Sequence, residues 1–253
     1  MITLNSPIMV VTDLDGSLLD HFDYTWQPAQ LWLDRLQQHN IPIVFCTSKT
    51  ATEVFKLQKN MKITAPFIAE NGAVIYLSPQ QKHILGQVKD LGTTVQHIKH
   101  AYHFNFTTFS EMTNEQLIKC TNLNKDQADD AKQRDASEPL LWQDTAQNLK
   151  LFASILKRQH LKLIQGGRFW HVVSEQSGKD KALAWLLRQY PQHTQTIGLG
   201  DAPNDKSFLE KTDYSVVIKT YAPTELRLNK EAYYTQHYGP QGWSEGLQHF
   251  IQL

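Results

Sequence analysis

The chain has 253 residues, 41% of them hydrophobic, with 25 Lys plus Arg set against 25 Asp plus Glu. Zero formal net charge excludes the global basic field that draws proteins to nucleic acid or anionic lipid, and two cysteines, Cys46 and Cys120, are too few for a disulfide framework and favour a reducing compartment. No apolar run has the length of a membrane span, and MITLNSPIMVV lacks the basic start and long apolar centre of a signal peptide, so a cytoplasmic location with no membrane or nucleic-acid partner is expected.

Along the chain the apolar residues switch repeatedly between a period of two and a period near 3.6, with no internal repeat and no low-complexity segment, which predicts an α/β protein. IMVVT (8–12) is an apolar run of strand length, and Pro28 opens a helix whose stripe includes Leu31, Trp32 and Leu36 and which Asn40 closes. IPIVFCT (41–47) is the next buried strand. SKTATEVFKLQKNM follows as an amphipathic helix capped by Ser48 or Thr50, and PFIAENGAVIY supplies two short strands about an Asn71-Gly72 turn. From about Lys82 the texture changes. Strands such as HFNFTTF (103–109) and LKLIQGG (161–167) alternate with helical stretches and a polar region around NKDQADDAKQRD, as in an α+β insert. The winding then resumes with SGKDKALAWLLRQY as a helix, QTIGLG as a buried strand, APNDKSFLEK as a helix start, YSVVIK as a strand and GWSEGLQHFIQL as a short helix. The expected architecture is a parallel α/β core, residues 1–82 and 172–253, interrupted by a cap at 83–171. A chain of this length can bury a core of that size and carry the insert.

In an open parallel sheet, ligands bind beyond the carboxyl ends of the strands. Asp13 and Asp15 follow the first strand, Thr47 and Ser48 the second, and GLGDAPND places Asp201, Asn204 and Asp205 after a later one. Lys179 starts a helix just after Gly178, where free amides and the helix dipole favour an anion. Several carboxylates with oxygen-rich partners suit Mg²⁺, and a lysine and a hydroxyl beside it suit a phosphate. Asp13 could then attack phosphorus while Asp15 handles the proton. Each signal alone has a plainer meaning. Aspartates cap helices and close turns, Thr47 can be a strand-end hydrogen-bonding residue, Lys179 a solvated helix lysine, and GDAPND a turn. A D-x-D pair also holds the metal of some glycosyltransferases, although no nucleotide-binding region can be located. It is the joint, ordered occurrence of all four segments that favours phosphoryl transfer over these and over a non-catalytic scaffold.

DLDGSLLD, the hydroxyl of Thr47 in CTSKT, Lys179 in SGKDKA and GLGDAPND resemble the four successive motifs of the haloacid dehalogenase-like phosphatases. CTSKT, IAENGAVI and GGRFWHVV are similar, more narrowly, to the mannosyl-3-phosphoglycerate phosphatases. The resemblance implies a Rossmann-like core with an inserted cap, and a Mg²⁺-dependent phosphatase whose partner is a small phosphate ester, mannosyl-3-phosphoglycerate first and a broader range of sugar phosphates as the alternative. It implies Asp13 as nucleophile, Asp15 as acid and base, Thr47 and Lys179 around the phosphoryl group, and Ser48 among the substrate-binding residues. Mg²⁺ would sit on Asp13, the Asp15 carbonyl and Asp201, with Asn204 or Asp205 in support. Ser17 stands where the family often has threonine, which keeps the hydroxyl. On the substrate side, Arg168 could grip a carboxylate and Glu70 and Asn71 could bond sugar hydroxyls, against the plainer readings of a surface ion pair and a hairpin turn. Trp170 and His171 read as cap core and rim.

Overall fold

IMVVT shows no polar alternation because both faces of its strand are covered. Met9 and Val11 point into one apolar cluster and Val10 into another, and all five residues of Ile8–Thr12 are buried. The computed structural model describes residues 2–86, 88–121, 123–221 and 226–252. Its main sheet holds five parallel strands in the order Tyr233–Tyr238, Tyr214–Lys219, Gln195–Gly200, Ile8–Thr12 and Ile43–Phe45. One face carries the helices Gln30–Gln38, Ala51–Met61 and Gly239–Phe250 through Leu33, Leu36, Val54, Trp243 and Leu247. The other carries Lys179–Leu187 and Lys206–Leu209 through Ala182, Leu183, Leu186, Phe208 and Leu209. Covering both faces is what an all-parallel sheet requires.

The helix expected after Ser48 or Thr50 starts from Thr50, whose hydroxyl accepts from Glu53 N while the Glu53 carboxylate accepts from Thr50 N, a reciprocal cap. Cys46 bridges Ile68 beyond the sheet edge, leading to the antiparallel ribbon Phe67–Ala69, Val74–Ser78 and Gln81–Ile84. The turn expected at Asn71-Gly72 is a single 3₁₀ turn, Glu70–Gly72, in which Glu70 and Asn71 both have left-handed φ, 54° and 57°.

The insert is a four-stranded antiparallel sheet in the order Phe106–Thr108, Ser137–Trp142, Phe169–Ser174 and Leu161–Gly166. Residues paired directly across antiparallel strands share a face. Trp170, Val172, Leu161 and Leu163 therefore face the helices Leu91–Tyr102 and Ala146–Arg158. His171, Val173, Lys162 and Ile164 lie on the opposite face, and Val173 and Ile164 pack into the main core. Both expected domain edges fall inside strands: Gln81–Ile84 pairs with Val74–Ser78, and Phe169–Ser174 completes the insert's sheet. The polar stretch near NKDQADDAKQRD contains a helix, Lys125–Lys132, that docks on Ala51–Met61 through Thr50 Oγ1 to Asp130 O at 3.0 Å and the Lys56–Asp130 ion pair. Among the described residues no helix is long and apolar enough to cross a membrane.

Candidate active site

Asp13 is the first residue past the central strand, and its N–H donates to Leu199 O at 2.9 Å, so the ladder to the neighbouring strand continues to its position. The chain then turns at Gly16, whose φ is +83°. A Cβ there would lie 2.6 Å from Asp201 Oδ2, so the residue must be glycine for the loop to pass over that carboxylate. Ser17 follows and donates its hydroxyl to Asp201 Oδ1 at 2.9 Å. From the other side, Lys179 opens its helix and is almost wholly buried, with Nζ 2.7 Å from Asp13 Oδ1 and 2.6 Å from Asp205 Oδ1. The helix end can come this close because Gly72 has no side chain: a Cβ there would be 2.2 Å from Gly178 O. Asp205 Oδ2 accepts from the backbone N–H groups of Asp201 (3.1 Å) and Ala202 (3.0 Å), so both its oxygens are engaged by the protein.

Three carboxylates, Asp13, Asp201 and Asp205, each bring one oxygen within 4.8 Å of the others. One ammonium serves them. Burial, then the negative charge of Asp205, push the Asp13 carboxyl up to about 7 in spite of Lys179. Burial and the charges of Asp205 and Asp13 likewise raise Asp201 well above the usual carboxylate range, against the bond from Ser17. Burial alone would lower Lys179, yet Asp13 and Asp205 hold it above its ordinary value. The site is therefore short of positive charge. Its donors are all hard oxygens, and Asp13 Oδ2 and Asp201 Oδ2 accept no hydrogen bond from the described residues. That donor set fits Mg²⁺.

The remaining expected residues are placed as follows. Asp15 turns its half-exposed side chain to the Lys49 ammonium, 2.9 Å from Oδ1, and Lys49 also lies 3.9 Å from Glu53 Oε1 and 5.3 Å from the centre of the Tyr24 ring. Lys49 carries no sequence signal beyond being a lysine within CTSKT. Thr47 is buried at the end of the next strand, where its Oγ1 accepts from Lys49 N at 3.2 Å, and Ser48 O accepts from Arg134 Nη1 at 3.2 Å. Asn71 and Asn204 meet, Nδ2 of Asn204 donating to Oδ1 of Asn71 at 3.1 Å. Glu70 points the other way: its oxygens accept from Asp135 N (2.7 Å), Ala136 N (3.1 Å) and Ser137 Oγ (2.6 Å) of the insert, which takes three of about four acceptor positions. Arg168 is exposed at the tip of the hairpin joining Leu161–Gly166 to Phe169–Ser174. A cleft of about 310 Å³ runs between the edge strand of the insert, at Lys162 and Ile164, and Asn71, Gly178, Lys179 and Asn204 of the core. Arg168 is not among its lining residues.

Comparison with known proteins bears on this arrangement. The chain superposes on a protein from Thermoplasma acidophilum with a TM-score of 0.73 at 12% identity, covering 99% of both chains. It superposes on a haloalkanoate-superfamily protein from Bacteroides thetaiotaomicron with a TM-score of 0.72 at 15% identity, covering 97% of this chain and 96% of the other. The sucrose-phosphatase from Synechocystis sp., in complex with sucrose and phosphate, gives 0.64 at 16% identity, with 97% and 98% covered. These likenesses establish a shared fold. The family profile described as haloacid dehalogenase-like hydrolase matches residues 10–230, a span that contains Asp13, Lys179, Asp201 and Asp205, and the chain belongs to that family.

Proposed function

We propose that the protein is a Mg²⁺-dependent phosphatase of small phosphorylated metabolites, sugar phosphates foremost, working through a phosphoaspartate at Asp13. The observation that carries the reading is the buried ammonium of Lys179 held between Asp13 and Asp205 at the carboxyl ends of two adjacent parallel strands, with Asp15 two residues beyond the nucleophile. Asp13 attacks phosphorus and the bond to the leaving oxygen breaks as Asp15 gives that oxygen its proton. Asp15 then takes a proton from water, the water oxygen attacks phosphorus, and the Asp13–phosphorus bond breaks to release inorganic phosphate. Lys179 and the Thr47 and Ser48 loop orient the transferring group, and Lys49 holds the Asp15 side chain in place. Asp13, Asp201 and the Asp15 carbonyl would hold Mg²⁺, with Asn204 and Asp205 beside them; when bound, the ion neutralises charge on the phosphoryl oxygens.

The insert, 83–171, would choose the leaving group by closing the cleft. Support for a sugar ester comes from the Synechocystis protein of the same fold, in complex with sucrose and phosphate. The narrower substrate, mannosyl-3-phosphoglycerate, is supported by CTSKT, IAENGAVI and GGRFWHVV, and asks Arg168 to grip the glycerate carboxylate. A broad sugar-phosphate phosphatase accounts for the site equally well. Phosphate release from hexose phosphates, mannosyl-3-phosphoglycerate and p-nitrophenyl phosphate, with Mg²⁺ present, separates these. Asp13→Asn should lower turnover by at least about a thousandfold. A preference for simple hexose phosphates would remove the narrow substrate, and release from no ester would overturn the phosphatase reading.

A further inference from the structure

Three consecutive carbonyls of the core loop 47–50 are each held by a group from another part of the fold. Thr47 O accepts from Asn71 N at 2.9 Å and Lys49 O from Glu70 N at 3.0 Å, both on the core turn Glu70–Gly72. The middle one, Ser48 O, accepts from Nη1 of Arg134 at 3.2 Å, an insert residue 86 positions further along the chain. The N–H groups of the loop are engaged as well: Thr47 N donates to Ile68 O at 2.9 Å, Lys49 N to Thr47 Oγ1 at 3.2 Å and Thr50 N to Glu53 Oε2 at 2.8 Å. Ser48 N, by contrast, donates to no described residue.

Arg134 is itself fixed. Half-buried between the insert helix Lys125–Lys132 and the strand Ser137–Trp142, it donates from Nε to Ala131 O at 3.0 Å and lies 5.7 Å from the centre of the Phe109 ring. Its Nη1 also donates to Ser137 Oγ at 3.0 Å, and that hydroxyl donates in turn to Glu70 Oε2 at 2.6 Å. The ties to Ser48 O and Lys49 O therefore belong to one network. A planar, permanently charged fork serves such acceptors in directions set in advance, which a single ammonium on a flexible stem does not. Loops that bind anions work by presenting N–H groups in a fixed concavity, and a Ser48 carbonyl free to rotate would present oxygen instead. We propose that Arg134 is a positioning residue for phosphate: it holds the Ser48 carbonyl, and with it the 47–50 loop, in one conformation, so that the insert governs affinity for the phosphoryl group and not only the choice of leaving group. The inference rests on the phosphatase reading, in which that loop orients the transferring group.

The test measures inhibition by inorganic phosphate, and kcat/KM for p-nitrophenyl phosphate and glucose 6-phosphate, with Mg²⁺ present. Arg134→Met keeps the stem and removes the fork. It should raise the inhibition constant of phosphate about tenfold to a hundredfold, the cost of a misplaced positioning group, and lower kcat/KM by the same factor for both esters, because the loop meets the group they share. Arg134→Lys should recover part of the loss, and carries the test alone should the Met variant not fold. Lys56→Met is the control: it cuts another tie between core and insert, the ion pair to Asp130, without touching a carbonyl of the loop, and should leave the inhibition constant at the wild-type value. An unchanged inhibition constant in the Arg134 variants, a loss confined to one ester, or an equal loss in Lys56→Met overturns the proposal. A wild type that neither hydrolyses an ester nor binds phosphate ends the phosphatase reading separately. Amide hydrogen exchange of the ligand-free protein then decides the tie: it should quicken at 47–50 in Arg134→Met and not in Lys56→Met, and unchanged exchange there overturns it.

Discussion

Lys179 shows how one residue changes meaning between sequence and fold. As a letter after Gly178 it could be any helix lysine; in the structure its side chain is 1% exposed and is the cation shared by Asp13 and Asp205. Removing one partner of a buried ionic cluster costs about 3–5 kcal/mol because the remaining charges stay uncompensated. Lys179→Met should lose stability of that order in urea unfolding without metal, and added Mg²⁺ should return part of it; a midpoint equal to that of the wild type would mean the carboxylates need no cation. Asp13 and Asp201 were legible because each directly follows an apolar strand, and Asp15 because it stands two residues beyond Asp13. Lys49 was not, since no period or spacing marks a lysine that folds back on Asp15. Glu70 was legible as a residue near the site but not in its direction, which depends on backbone N–H groups of Asp135 and Ala136 more than sixty residues away.

At the scale of elements, Glu70 joins the core turn to the start of the insert strand Ser137–Trp142, alongside Arg134 to Ser48 O and Tyr76 OH to Asp135 Oδ2 at 2.5 Å. Glu70→Gln keeps the shape but exchanges charge-assisted acceptors for a neutral amide, and should cost about 1–3 kcal/mol. It should also speed proteolytic cleavage around 130–137, and cleavage at the wild-type rate would show that the seam does not depend on the carboxylate. The C-terminal helix is tied down similarly. Burial opposes ionisation of Glu245, but bonds from Gln236 N, His237 and Tyr233 OH hold its carboxyl down at about 2, against an ordinary 4.5. A depressed carboxyl contributes stability that is complete above the unfolded value and lost as pH falls through the folded one. The stability difference between wild type and Glu245→Gln should therefore shrink between pH 4.5 and pH 2, measured by urea unfolding at each pH. Glu245 accepts at Tyr233–Tyr238, an edge strand that no apolar run marks in the sequence: YYTQHY is mostly exposed or half-buried, with Thr235 alone buried. The helix Lys125–Lys132 was read only as polar chain because it buries little beyond Ala128, Asp130 and Ala131.

At the scale of the whole molecule, the carboxylate cluster of Asp13, Asp201 and Asp205 is assembled from two segments of the core far apart in the chain, next to a cleft that the insert lines through Lys162 and Ile164. Asp201 reaches Asp13 only because its strand lies beside the central one, with Leu199 level with Thr12. Asp201→Ala should weaken Mg²⁺ binding by tenfold or more, on the order of 1.4 kcal/mol, with little change in urea midpoint, as read by isothermal titration with the metal; unaltered affinity would place the ion elsewhere. The sequence by itself determined the α/β class and the order of the buried core strands that Asp13 and Asp201 follow. It could do so because buried parallel strands leave long apolar runs and their carboxyl ends are where polar side chains become functional. Tertiary structure alone decided that Glu70 serves the seam, that Arg168 stands on an exposed hairpin tip, that Lys49 partners Asp15, and that Asn71 Nδ2 and His171 Nδ1 are buried without a hydrogen-bond partner among the described residues. Those outcomes depend on directions and distances between residues far apart in the chain, and periodicity and motif carry only what is local.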